Sequence, residues 1–97
     1  MGTFIAVASF SPETDLPQMN AVITEEVAQV RTLVAEGRLG AVHVSIARGR
    51  AFLEVHAEDE ISARATVETL PMARWWDIDL FPTMTPPTPP LASPEAQ

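Results

Sequence analysis

The chain contains no cysteine. That removes disulfides, thiolate nucleophiles and zinc ribbons together, so stability rests on packing and any chemistry on His, Asp, Glu or Ser. Positive charge is also scarce. Six basic side chains stand against 13 acidic ones, and the net charge of −7 repels phosphate backbones and anionic membrane surfaces, with no local basic cluster to offset it. Nucleic acid and membrane are therefore not expected as partners. Long apolar runs are missing as well: "MGTFIAVASF" lacks a basic leader and passes straight into "SPETD". It reads neither as a signal peptide nor as a membrane span, and the expected location is cytoplasmic. A length of 97 residues allows one modest core, so a deep pocket needs walls from a second copy or from a tail.

The pattern that is present alternates between two periods. "TFIAVAS", residues 3–9, is a run of β-formers closed by a loop at "SPETD". Asp15 with Gln18 three residues on fits a capping box, Pro17 suits a first helical turn, and Gly37 suits a helix end. Between them Met19, Ile23, Val27, Val30 and Val34 recur at steps of three and four, which predicts one amphipathic helix of about five turns. After Gly40 the period becomes two. Val42, Val44 and Ile46 share one face, with His43, Ser45 and Ala47 on the other. A turn at "RGR" leads into Ala51, Leu53 and Val55 on one face, with Phe52, Glu54 and His56 opposite. "EDE" can cap a second helix with Ile61, Ala65, Val67 and Leu70 as its apolar side, ended by Pro71. Residues 75–81, "WWDIDLF", alternate again as a fourth strand, and a proline-rich extended tail occupies 83–97.

The order β-α-β-β-α-β predicts an α+β domain over residues 1–82. In this ferredoxin-like arrangement two helices cover one face of a four-stranded antiparallel sheet. The other face stays bare and apolar enough to call for a homodimer or a higher homo-oligomer. On it the alternation places His43, Glu54 and His56 together. A two-residue turn at Arg48-Gly49 sets His43 opposite Glu54, and a four-residue loop sets it opposite His56 with Ser45 opposite Glu54. A carboxylate beside an imidazole is equipment for general acid–base catalysis, so these three are the candidate catalytic residues. Two imidazoles and a carboxylate also match a facial metal-ligand set, but adjacent strand positions seldom converge correctly, and neither metal nor cofactor is expected. Ser45, Phe52, Trp75, Trp76, Asp77 and Phe81 are the candidate substrate-binding residues. The tandem tryptophans should face opposite sides of the sheet, one into the core and one onto the bare face. Arg48 and Arg50 read as solubilising residues of the turn.

The run "LPMARWWDIDLFPT" and the strand pair hinged on "IARGRA" resemble the muconolactone isomerase family, across residues 3–82 in element order and spacing. The resemblance implies a dimeric α+β barrel, oligomers built from such dimers, and cofactor-free isomerisation of an unsaturated lactone by a proton shift beside a carbonyl. Val44 and Ser45 stand where the family carries a Trp-Arg pair, and Phe52 where it carries Asn. A guanidinium for a substrate carboxylate is thus missing from that spot, and a more neutral, aromatic or polyketide-like small molecule suits the face better. The expected function is a small isomerase or cyclase. The competing expectations are a non-catalytic dimeric binding or interaction module, and a cofactor-free oxygenase of the same fold.

Overall fold

A computed structural model describes residues 2–84. Four strands, β1 (Gly2–Phe10), β2 (Leu39–Ser45), β3 (Arg50–Ala57) and β4 (Trp76–Pro82), form one antiparallel sheet in the order β2-β3-β1-β4. Three helices, α1 (Leu16–Ala21), α2 (Ile23–Ala35) and α3 (Glu60–Glu68), complete an α+β domain compatible with a ferredoxin-like fold. The reading of residues 85–97 as an extended tail lies outside the described residues.

The alternation in β1 and β3 decides where the core sits. Phe4, Ala6 and Ala8 of β1, with Ala51, Leu53, Val55 and Ala57 of β3, are buried against Leu33 of α2 and Ala63 and Val67 of α3. The small alanines of β1 let the helices approach the sheet closely. Asp59 caps α3, its carboxylate accepting the Ser62 N–H at 2.8 Å, and this interaction holds the carboxyl below its ordinary pKa. Glu26 of α2 reaches across to accept the Met72 N–H at 2.9 Å. Burial pushes its pKa up, with the Met72 hydrogen bond opposing.

The helices differ from the sequence reading in three respects. Asp15 does cap the first helix, through the Gln18 N–H, but the chain leaves helical geometry at Val22 (φ −105°, ψ 8°), so the single long helix is two. In α2, Leu33 is the buried residue and Val30 packs partly against the core, whereas Ile23, Val27 and Val34 are exposed. The core side of α2 thus runs through Glu26, Val30 and Leu33, because Glu26 is anchored to Met72. In α3 the buried side is Ala63, Thr66 and Val67, while Ile61 is 82% exposed and Ala65 also faces outward. The Asp59 cap fixes the start of α3, and that phase turns Ile61 away from the sheet.

The hairpin differs in register. Ile46–Arg48 forms a 3-10 turn closed by Gly49 in the left-handed region (φ 63°), where glycine carries no Cβ penalty. The resulting four-residue loop pairs Ser45 with Arg50, Val44 with Ala51 and His43 with Phe52. Neither expected partner of His43 faces it directly. The paired residues Val42 to Ser45 and Arg50 to Leu53 keep the faces the alternation requires, because the observed register differs from both expected ones by an even step; Ile46 and Ala47, read as the end of the strand, lie in the 3-10 turn instead, with Ile46 80% exposed. A bulge between Leu39 and Val42 then brings Gly40 and Ala41 alongside Glu54.

Candidate functional site

The helix-free face of the sheet is a grid of cross-strand rows set by the pairing registers. His56 lies beside Thr3; Glu54 beside Ile5, which pairs on its other side with Phe81; Phe52 between His43 and Val7, with Asp79 beyond; and Arg50 between Ser45 and Ser9, with Asp77 beyond. Directly opposed Cβ atoms in such rows are about 4.5–5.5 Å apart, so each row is a line of touching side chains. The apolar members Ile5, Val7, Phe52 and Phe81 run diagonally across the centre. Phe52 and Phe81 are 38% and 48% exposed.

His56 Nε2 stands 3.9 Å from Glu54 Oε1, and His56 Nδ1 lies 3.2 Å from the Thr3 hydroxyl. The same Glu54 oxygen accepts the Ala41 N–H at 3.3 Å. When Nδ1 donates its proton to Thr3, Nε2 presents its lone pair toward the carboxylate and can receive a proton there; the protonated ring donates on both sides. Both side chains are half-buried, 31% exposed for His56 and 41% for Glu54. A shallow concavity of about 160 Å³ opens beside Glu54, lined also by Ile5, Ala41, His43 and Phe52. Glu54 therefore separates two histidines: His56 behind it and His43 across the concavity. Among the described residues no three His, Asp or Glu side chains converge as metal ligands. The observed register accounts for this, since it leaves His43 two rows from His56.

The structure places the remaining sequence candidates as follows. Phe52 floors the concavity. Ser45 sits in the Arg50 row, two residues beyond His43 along β2. Asp77 and Phe81 border a second, broader concavity of about 370 Å³ on the β1–β4 half of the same face, together with Val7, Ser9, Arg50 and Asp79. Arg50, read from sequence as a solubilising turn residue, is thus part of this face. Trp75 and Trp76 are corrected. Trp76 starts β4 on the helix side, packed against the core and stacked on Phe10 with ring centroids 6.4 Å apart and planes 7° from parallel. Its buried Nε1 has no hydrogen-bond partner among the described residues. Trp75 precedes the strand, in a 3-10 turn spanning Pro71–Trp75, with the Arg74 guanidinium 4.2 Å above its ring. Only Trp76 has strand geometry, so the alternation rule reaches only that member of the pair.

Thr3, Ile5 and Gly40 were missed by sequence reasoning. The odd-numbered positions of "TFIAVAS" carried the signal for the first two, since β1 is central and its second face must share the surface of Phe52 and Glu54. Nothing in composition or spacing singled out Gly40. The chain matches no family model, and no curated protein matches it.

Proposed function

We propose that the chain is a small cofactor-independent isomerase or cyclase that moves a proton on an unsaturated carbonyl compound held against the open sheet face. The observation that carries this reading is the position of the Glu54 carboxylate, which lines the concavity on one side and contacts His56 on the other. Glu54 takes the proton from the carbon next to the carbonyl, through a carboxylate oxygen facing the substrate. His56, its Nδ1–H donated to Thr3, presents the Nε2 lone pair to the carboxyl group and takes the proton from it after transfer. His43 lies on the opposite wall and donates a hydrogen bond to the developing enolate oxygen. Phe52 and Ile5 hold the unsaturated carbon skeleton, and its far end extends over Val7 toward Ser9 and Asp77.

A single chain leaves this face open to water. A second copy laid over it, giving a dimeric α+β barrel of ferredoxin-like subunits, supplies the missing wall and covers Phe52 and Phe81. The resemblance of the run "LPMARWWDIDLFPT" and of the element order to the muconolactone isomerase family supports this arrangement. Ile5, Phe52 and Phe81 offer apolar contact to the unsaturated ligand, and Arg50, one row from His43 on the same face, is the guanidinium available to an anionic group.

The test is exchange of the α-proton in D₂O, followed by NMR, over a panel of β,γ-unsaturated ketones, unsaturated lactones and aromatic polyketide-like ketones. Exchange above the buffer rate that Glu54→Gln reduces by about 10²-fold or more, the scale of general-base catalysis, supports the reading. The same rate in Glu54→Gln and the parent, or no exchange with any compound by an intact dimer, overturns it.

One observation favours a second reading. The concavity beside Glu54 is smaller than the roughly 300–1,000 Å³ of ordinary ligand pockets, which suits a face filled entirely by the partner in a non-catalytic dimeric module. The two readings separate on small-molecule access. An aromatic ketone that shifts the His43 and Phe52 resonances in the intact dimer belongs to the catalytic reading alone.

A further inference from the structure

The bulge of β2 contains a glycine that its backbone does not require. Positive φ is confined to Gly37 and Gly49 among the described glycines, so Gly40 occupies a conformation that any residue can adopt. Neither the bulge nor the turn accounts for it. What accounts for it is space. A Cβ on Gly40 would overlap Glu54 Oε1 and would stand 3.0 Å from Glu54 Cδ and 3.1 Å from His56 Nε2. The volume of the missing side chain is occupied by the carboxylate and the edge of the imidazole.

We infer that Gly40 is a positioning residue: the notch it leaves in β2 seats the Glu54 carboxylate against the strand, with Oε1 directed at the Ala41 N–H and His56 Nε2. This deepens the proton-transfer reading and rests on it for its functional meaning, but the geometry stands without it. Glu54 is half-exposed on a strand and has three rotatable bonds, so in the absence of a seat its carboxylate would sample many positions. The notch replaces that freedom with one place, fixed by a backbone donor on one side and an imidazole on the other. Oε2 takes part in neither contact and is the oxygen left to receive a proton. Because the first atoms met by an added Cβ belong to the end of a flexible side chain, Gly40→Ala displaces the carboxylate rather than the sheet.

The experiment reads the seat directly by NMR. The carboxylate acceptor displaces the Ala41 amide proton downfield, and Glu54→Ala removes that displacement. In Gly40→Ala the displacement of the Ala41 amide is expected to fall at least threefold, toward the Glu54→Ala level, with the rest of the amide spectrum retained. An unchanged Ala41 displacement in a folded Gly40→Ala variant overturns the inference.

Should Gly40→Ala not fold, the Gly40→Ala/Glu54→Ala double variant decides. With the carboxylate gone the added methyl is tolerated, so recovery of the folded spectrum supports the seat, and failure to recover it overturns it. None of these readouts involves turnover. Failure of the α-proton exchange assay therefore bears on the catalytic reading alone, and an unchanged Ala41 displacement in Gly40→Ala bears on the seat alone.

Discussion

The two faces of the sheet carry the same kinds of residue and use them in opposite ways. On the helix side, β1 presents Phe4, Ala6 and Ala8 and β3 presents Leu53 and Val55, all buried. The other face presents Ile5, Val7, Phe52 and Phe81, interrupted by His43, Glu54, His56, Arg50 and two aspartates. The helix side is sealed over β1 and β3 and open over β2, where Val42 and Val44 stay 37% and 54% exposed. The other mixes apolar surface with titratable groups and stays accessible, a combination that contributes little to folding and much to binding. Alternate residues of the same strands thus serve the core on one side and the proposed site on the other.

Breaking the sealed face gives the largest effect. Leu33 is fully buried where α2 meets the sheet, and Leu33→Ala removes three carbons from a site that the surrounding strands cannot refill. The expected destabilisation is about 2–5 kcal/mol, measured by urea unfolding with an unchanged slope. Against a total of roughly 5–15 kcal/mol for a domain of ordinary stability, this change alone populates unfolded chains. A loss under about 1 kcal/mol would show that the helix layer is more loosely attached than its burial implies.

Breaking the open face tests the proposed dimer instead. Phe81→Glu places a carboxylate at a half-exposed position beside Ile5. The expected change in the unfolding free energy of the subunit is within about 0.5 kcal/mol, as for surface sites generally. For the proposed dimer, the dissociation constant is expected to rise tenfold or more by sedimentation, since each copy would bring a carboxylate to the apolar face it contributes. An unchanged association constant would remove this face as the contact between subunits.

A smaller effect sharpens the sealed side. Glu26 is partly buried beneath α2, and its raised pKa means the folded chain holds that proton more tightly than the unfolded one does. Its contribution to stability is therefore present on the acid side of the ordinary carboxylate range and is lost as pH rises through the folded value. Gln keeps an oxygen for the Met72 N–H and removes the charge. Glu26→Gln should thus be the more stable chain at neutral pH, by less than about 1 kcal/mol after solvent screening, with the advantage vanishing in acid. Denaturant melts at pH 4 and pH 7 measure the difference, and an equal or less stable variant at pH 7 contradicts it.

The strands were readable in the sequence because their signal is a parity, and parity survives errors of register. His43, Glu54 and His56 share a face in the structure even though neither expected register is the one formed. The actual partner of His43 depends on a 3-10 turn closed by Gly49, and "IARG" does not announce that turn by composition. Helix faces were less readable. Their phase depends on where the helix starts and on single anchors such as the Asp59 cap or the Glu26–Met72 hydrogen bond. A polar residue facing inward cannot be inferred from an apolar count. Gly40 lies furthest from sequence reasoning, since its meaning comes from Glu54, 14 positions away and joined to it only by strand pairing.

Ile61 provides the finest test of that distinction, with the smallest effect. Its spacing from Ala65 suggested an apolar stripe, and a buried isoleucine replaced by a polar residue would lose several kcal/mol. The Asp59 cap instead starts α3 so that Ala63 and Val67 face the sheet and Ile61 points outward. Ile61→Gln at this position exchanges one exposed side chain for another of good helix propensity, and the expected change is within about 0.5 kcal/mol of zero. Thermal melts of Ile61→Gln beside Val67→Ala, on the buried side of the same helix, set the two sides against each other. Comparable losses in both would mean that α3 is rotated from the phase its cap dictates.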